Sequence, residues 1–313
     1  MIVVERYRAD MAAEWNRFVA QSKQGTFLVD RRYMDYHADR FADYSLVVRR
    51  NGKLFALLPA NAVGDKLYSH QGLTYGGLVT GRQATAETVC EAFIAINDHL
   101  RQAGFHHVFY KPVPHIYHRQ PAEEDLYALF MRCSARLVER DVASTLRLDC
   151  PPRFEESRRS GLRKATRLGL TVAESTDVEV FWQILIDNLH RKYDAKPVHT
   201  AAEMRLLMSH FSEQIRLLMV YNAEQVPVGG TVLYLTPQTI HTQYISASQE
   251  GKQTGALDLL FDRIINQTKH TQTYFDFGTS AEADSCEVNA SLIFQKLGFG
   301  GRAVCYDRYA YDL

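Results

Sequence analysis

Two long segments share one hydrophobic pattern. From Ser45, "SLVVRRNGKLFALLPANAVGDKLYSHQGLTYGG" alternates apolar and polar positions in three runs, then "ATAETVCEAFIAINDHLRQAG" switches to a helical period, and "FHHVFYK" alternates again. From Ile215, "IRLLMVYNAEQVPVGGTVLYLTPQTIHTQYISAS", "KQTGALDLLFDRIINQT" and "TYFDFG" repeat that order. Each segment predicts strand, turn, strand, turn, strand, long helix, strand. The first turn holds Asn51-Gly52 in one copy and Asn222-Ala223 in the other; the middle turns hold Gly64-Asp65 and Thr236-Pro237. Asn-Gly is a hairpin signal because both residues tolerate positive φ. The match lies in pattern more than identity, and its period is too long for a solenoid.

Pro151 and Pro152 stop the strand of "LRLDC", and helical pattern resumes after them. The remainder predicts a basic helix over 154–168 ended by Gly169, a strand "LTVAES", and helices over 177–193 and 200–211. Asp177 and Thr200 are N-cap candidates, and Thr200-x-x-Glu203 has the capping-box spacing. A polar loop over 279–287, the helix "NASLIFQKLG" and a strand "GRAVCYDRYAYDL" close the chain. Such alternation means an α/β (α+β) protein, read as two units over 1–148 and 149–313.

Composition narrows the classes. The 313 residues carry 36 basic and 36 acidic side chains, so total charge does not point to a DNA binder. No apolar run reaches membrane-spanning length, and the first residues lack the layout of a signal peptide. Cys90, Cys133, Cys150, Cys286 and Cys305 are scattered and form no CxxC, which fits a reducing cytoplasm and neither a disulfide framework nor zinc. His106, His107, His115 and His118 cluster without suitably spaced partners, so no metal site is expected.

Candidate chemistry gathers around "SASQEGKQTGALDLLFDRII" (246–265). A strand entering a polar glycine turn and then a helix presents backbone N–H groups to an anion. Gly251 and Gly255 permit close approach and Lys252 adds charge; equally, both glycines serve a tight turn. The stretch is neither GxxxxGK[ST] nor GxGxxG. On the strand before it, Tyr244, Ser246 and Ser248 share a face, with His241 upstream. Tyr244 reads as an orienting acid or as packing. Asp276, in "YFDFG", reads as a base with a raised pKa or as a cap. Asn289 reads as a substrate contact or as the N-cap of its helix. Arg158, Arg159, Arg163, Lys164 and Arg167 suit an anionic partner or a solvated face offset by Glu155 and Glu156. In the first unit, "YSHQGLTYGG" places His70, Gln71 and Tyr75 where that copy turns toward its helix, suited to lining an acceptor cleft.

The order "PVGGTVLY…HTQYISAS…EGKQTGALDLLFDRI…YFDFGTS…QKLGFG" resembles the FemAB-related branch of the GNAT acyltransferase superfamily. "FDFGTS" is similar to that branch's "FDFGGS", with Thr279 for the second Gly. "QKLGFG" is similar to its Lys-x-x-Phe-Gly segment and singles out Lys296, which sequence alone reads as a solvated helix-end lysine. The resemblance implies two tandem GNAT-like units, each a mixed, mostly antiparallel sheet flanked by helices. It implies an acyl donor, acetyl-CoA or another acyl-CoA, held in the second unit by Ser246, Ser248, Gly251, Lys252, Gln253, Thr254, Gly255 and Asn289. Tyr244, Asp276 and Lys296 become the expected catalytic residues; His70, Tyr75, Arg163 and His241 become the expected contacts to a small-molecule amine, such as a nucleotide-linked amino sugar of cell-envelope polysaccharide synthesis. The family's pyrophosphate loop, Arg/Gln-x-x-Gly-x-Gly/Ala, is here Glu250-Gly251-Lys252-Gln253-Thr254-Gly255, so Glu250 and Gln253 depart from it. Some relatives use aminoacyl-tRNA, and their coiled-coil arm has no counterpart here. Transfer from tRNA to a peptidoglycan precursor, and a binding protein without catalysis, stand as the alternatives.

Overall fold

The computed structural model describes residues 1–193, 196–281 and 287–313. The expected loop over 279–287 therefore falls largely outside the described residues, as does Cys286. The chain divides into two compact units, Met1–Asp141 with Cys305–Leu313, and Val142–Val304. The sequence placed the boundary at 148/149; in the structure the division falls inside one long strand, and the last residues return to the first unit by pairing there.

The first unit comprises β1 (Ile2–Arg6), α1 (Ala12–Gln21), α2 (Arg31–Met34), β2 (Leu46–Arg50), β3 (Lys53–Leu58), β4 (Asn61–Val63), β5 (Lys66–Tyr68), β6 (Val79–Thr80), α3 (Ala86–Gln102), β7 (His107–Tyr110), α4 (Glu124–Cys133) and the start of β8 (Arg136–Arg147). β1, β2, β3 and β6 form one antiparallel sheet. β4 pairs antiparallel with β5, and β5 pairs parallel with β7. Asn51 and Gly52 take φ of 52° and 77° at the β2–β3 hairpin. The core joins Leu46, Val48 and Leu58 from strands to Phe93, Ile96 and Leu100 on the inner face of α3.

The second unit holds α5 (Glu156–Arg167), β9 (Thr171–Ser175), α6 (Val178–Tyr193), α7 (Ala201–His210), β10 (Ile215–Tyr221), β11 (Pro227–Leu235), β12 (Thr239–Ala247), α8 (Gln249–Thr254), α9 (Ala256–Ile265), β13 (Tyr274–Thr279), α10 (Ala290–Gly298) and the start of β14 (Arg302–Asp312). β9 to β12 run antiparallel in order, β13 joins β12 in parallel, and β8 pairs antiparallel with β13. The capping box forms: Thr200 Oγ1 accepts from Glu203 N, and the Glu203 carboxylate accepts from Thr200 N. One sheet face is sealed by α5 and α9. There Phe261, Phe275, Phe277 and Phe299 interlock with ring centroids 4.8–6.0 Å apart. Burying each such side chain contributes about 1.5–3 kcal/mol.

Candidate active site

The site starts from a fork between two strands. β12 and β13 pair for three residues, Thr239↔Tyr274, Ile240↔Phe275 and His241↔Asp276. Beyond that, β12 continues along β11 to Ala247, while β13 shifts register on β8 between Asp276 and Thr279. Ile240, Phe275 and Phe277 enter the phenylalanine core, so strand alternation puts His241 and Asp276 on the opposite face.

Asp276 is completely buried. Its Oδ1 accepts from Thr145 Oγ1 at 3.0 Å and from Gly278 N at 3.0 Å, and its Oδ2 lies 2.9 Å from His241 Nδ1. A carboxylate without exposed surface cannot reach a substrate amine itself. His241 keeps 12% of its side chain exposed, so of this pair the expected base, Asp276, has no open surface and the histidine does. Gly278 has φ of 71°, and an added Cβ would lie 3.1 Å from His241 Cε1, so glycine sets the distance between strand and ring.

Lys296 also departs from the sequence reading. It is 8% exposed, not solvated. Its Nζ donates to Gly278 O at 2.9 Å and to Thr279 O at 2.7 Å. Burial pulls its pKa down to about 8, against an upward pull from Asp276. The fork thus gathers His241, Asp276 and Lys296, and adds Thr145, which the sequence reading did not single out. Thr145 and Asp276 are 131 positions apart, and nothing in either local pattern announces their contact.

The other expected residues lie elsewhere. A bulge moves the β11–β12 register from Val232↔Tyr244 to Leu233↔Thr242, leaving Gln243 as the extra residue. Past it, Tyr244 turns toward α6 and sits edge-on to Trp182, with ring centroids 5.1 Å apart. Its hydroxyl is 2.6 Å from His199 Nδ1, and burial raises its pKa to about 12. His199, another residue not singled out, is fixed in turn by Trp182 Nε1 donating to its carbonyl at 3.0 Å. Ser246 Oγ donates to Ile184 O of α6 at 3.2 Å.

The stretch expected to cradle phosphate is a helix. Ser248 is the N-cap of α8, its Oγ accepting from Gly251 N at 3.1 Å. Lys252 N donates to Ser248 O at 2.9 Å. A Cβ on Gly251 would meet Val228 O at 2.1 Å, and one on Gly255 would meet Gly161 O of α5 at 2.4 Å. Both glycines therefore admit the protein's own backbone. Lys252 Nζ bonds Asn188 Oδ1, Thr254 Oγ1 donates to Glu250 O, and Gln253 is exposed. Glu250 accepts from Asn222 Nδ2 and brings negative charge to the start of α8. The cleft of about 340 Å³ beside it sets Arg191 and Lys252 against Asp187 and Glu250, so it carries no excess of positive charge. These residues do not fit a coenzyme A pyrophosphate.

Asn289 is the N-cap of α10, accepting from Leu292 N at 2.9 Å. Arg163 is exposed on α5 and pairs with Glu156, as does Arg159, while Arg158 bonds Asp258 at 3.0 Å. His70 and Tyr75 are buried in the first unit. Burial lowers the His70 pKa to about 3, so its ring is neutral; Tyr75 OH is 3.1 Å from Thr26 Oγ1. Among the described residues, no three His, Cys, Asp or Glu side chains are placed to hold a metal ion, and no helix is long and apolar enough to cross a membrane.

Residues 153–284 match the acetyltransferase (GNAT) domain family. Among solved structures, FemX superposes with a TM-score of 0.68 at 12% identity, covering 99% of this chain and 97% of that one. L-PGS from Bacillus licheniformis gives 0.62 at 14% identity, over 97% and 91%. A tandem GNAT protein from the clavulanic acid biosynthesis pathway gives 0.54 at 12%, over 100% and 98%. At these identities the likeness is one of fold. No curated protein matched by sequence.

Proposed function

We propose that this GNAT acyltransferase, built on the FemAB-related tandem fold, moves an acyl group onto a primary amine, with His241 as base and Asp276 as the residue that holds it. The observation that carries the reading is the chain Thr145–Asp276–His241 at the opening of the fork. An amine attacks a carbonyl only as the neutral base, so its proton must leave. With Nδ1 engaged by Asp276, Nε2 of His241 is the nitrogen that accepts the proton. The amine nitrogen bonds to the acyl carbon, the tetrahedral oxyanion collapses, and the leaving group departs with the proton from His241. An ammonium has three N–H donors, and two of those on Lys296 go to Gly278 and Thr279. The third is available to the oxyanion, where such donors act most strongly.

GNAT domains generally use acyl-CoA, and that remains the first donor to test. The closed α8 segment favours a second reading, in which the donor is aminoacyl-tRNA, a substrate that does not require a pyrophosphate cradle at Gly251 and Gly255. Melting midpoints measured with acetyl-CoA, free coenzyme A and charged tRNA separate the two, since a ligand bound only to the folded state raises the midpoint. The productive donor is then assayed with an amine panel of amino sugars, nucleotide-linked amino sugars and peptidoglycan precursors. Transfer that survives His241→Ala at the wild-type rate overturns the assignment of the base.

A further inference from the structure

The second unit has a cleft on the phenylalanine side of its sheet, across the strands from the fork. Its volume is about 460 Å³, within the range of small-molecule sites. The floor is aliphatic: Leu218, Leu233, Leu235 and Ile240 from three adjacent strands, with Ile264 of α9 beside them. This floor continues the hydrophobic core, since Leu233 and Ile240 are core members and Leu218 and Leu235 pack against them while remaining partly open. The rim is cationic. Arg216, Arg263 and Lys269 line it, against the single acid Glu174. Glu174 lies 3.8 Å from Arg216 in an exposed pair. The Arg263 guanidinium bonds a neutral group, the amide oxygen of Gln267, at 3.2 Å. The cleft therefore offers a trough with an aliphatic floor and a polar rim on which positive charge is in excess.

We propose that this cleft binds a single-chain aliphatic anion, with its hydrocarbon along Leu218, Leu233, Leu235 and Ile240 and its head group at Arg216 and Arg263. Apolar burial supplies the attraction and the rim charge selects the head group. A neutral or cationic amphiphile would gain the first contribution and lose the second. The assignment does not depend on the identity of the acyl donor or acceptor. Ile240 precedes His241 on β12, so an occupant touches the strand that carries the base, from its other face.

Isothermal titration calorimetry of the full chain, below micellar concentrations, tests this with decanoate, decyl phosphate, decylamine and acetate. Saturable single-site binding of the two decyl anions is expected, with decylamine at least about tenfold weaker and acetate silent. The tighter of the two anions distinguishes a carboxylate from a phosphate head group. Arg216 and Arg263 are exposed, so the Arg216→Glu/Arg263→Glu variant keeps the fold, which its melting midpoint verifies. It should weaken decanoate by about tenfold or more. Leu218→Trp should block the trough. Equal affinity for decylamine, undiminished decanoate binding in both variants, or no binding of either anion at millimolar concentration overturns the proposal.

Discussion

The two units carry the same three-residue parallel pairing and place different side chains in it. In the second unit the third pair is His241↔Asp276. In the first, β5 and β7 pair Lys66↔His107, Leu67↔Val108 and Tyr68↔Phe109, so two aromatic residues hold the corresponding place. Their rings stack 4.8 Å apart at 10°. The flanking strands differ as well. β11 runs unbroken for nine residues, whereas its counterpart is split into β3 and β4, which belong to different sheets. One copy has kept a long rail with a polar fork at its end. The other has a short rail closed by an aromatic stack. A shared fold is thus no evidence of shared chemistry; the site decides.

The largest effect expected from this contrast is on rate. His241→Ala and Asp276→Asn should lower kcat/KM by about 10²–10⁴, the usual worth of a positioned proton acceptor. Tyr68→Leu, at the matching position, should leave it within about twofold, as for a substitution outside the chemical site. Steady-state kinetics on the three variants checks this. Equal losses at Tyr68 and His241 would erase the distinction between the forks.

The next contrast is in pH dependence. Each unit holds a lysine whose pKa falls to about 8, Lys296 buried at the fork and Lys111 partly buried in the first unit, where Nζ donates to Leu73 O at 2.6 Å. Burial is the leading cause in both. If the Lys296 ammonium serves the transition state, kcat/KM declines above about pH 8. That limb should vanish in Lys296→Met, on a lower plateau, and persist in Lys111→Met. Stability moves the other way. The unfolded chain binds more protons between about pH 8 and the ordinary lysine value of 10.5, so both lysines make unfolding harder as pH rises through that window.

Backbone freedom gives a smaller contrast. Gly52 and Gly255 both have positive φ, 77° and 82°. A Cβ at Gly52 meets nothing within 4 Å, while one at Gly255 runs into Gly161 O at 2.4 Å. Gly52→Ala should cost about 1–2 kcal/mol from conformation alone. Gly255→Ala should cost more, because α5 must also move. Chemical denaturation of both variants checks the order, and equal costs would mean that the α5 contact yields freely.

Which of these features the sequence announced depends on their range. The Asn51-Gly52 hairpin, the Thr200/Glu203 box and the Asn289 cap are set by neighbours within three residues, and pattern alone locates them. The succession of strands, long helix and strand in each unit follows from hydrophobic period, whereas the split of β3 from β4 and the separate helix α8 do not. Contacts that arise only on folding were invisible. Thr145 reaches Asp276 across the sheet, His199 reaches Tyr244 from the segment between two helices, and Lys296 is buried by β13. The stretch 249–254 misled for a local reason. Its polar, glycine-bearing composition reads as a loop, yet Ser248 caps it as a helix, and its two glycines answer to Val228 and Gly161.

The finest contrast concerns two buried carboxylates, each held by a hydroxyl. Asp276 accepts from Thr145 Oγ1, and Asp125 in the first unit accepts from Tyr110 OH at 2.6 Å. Tyr110 OH also accepts from Leu78 N at 2.6 Å, so Tyr110→Phe orphans a donor and an acceptor at once. That variant should lose about 1–3 kcal/mol of stability and leave the rate of the folded enzyme unchanged. Thr145→Val removes one partner of Asp276, and the contacts with Gly278 N and His241 remain. Its stability loss should be nearer ~1 kcal/mol. Its rate should nonetheless fall several-fold, because the carboxylate that orients His241 has lost a tether. Melting curves and kcat/KM for the pair check both statements. A Thr145→Val enzyme that is destabilised and kinetically intact would make the hydroxyl a packing contact and leave the orientation of His241 to Asp276 and Gly278.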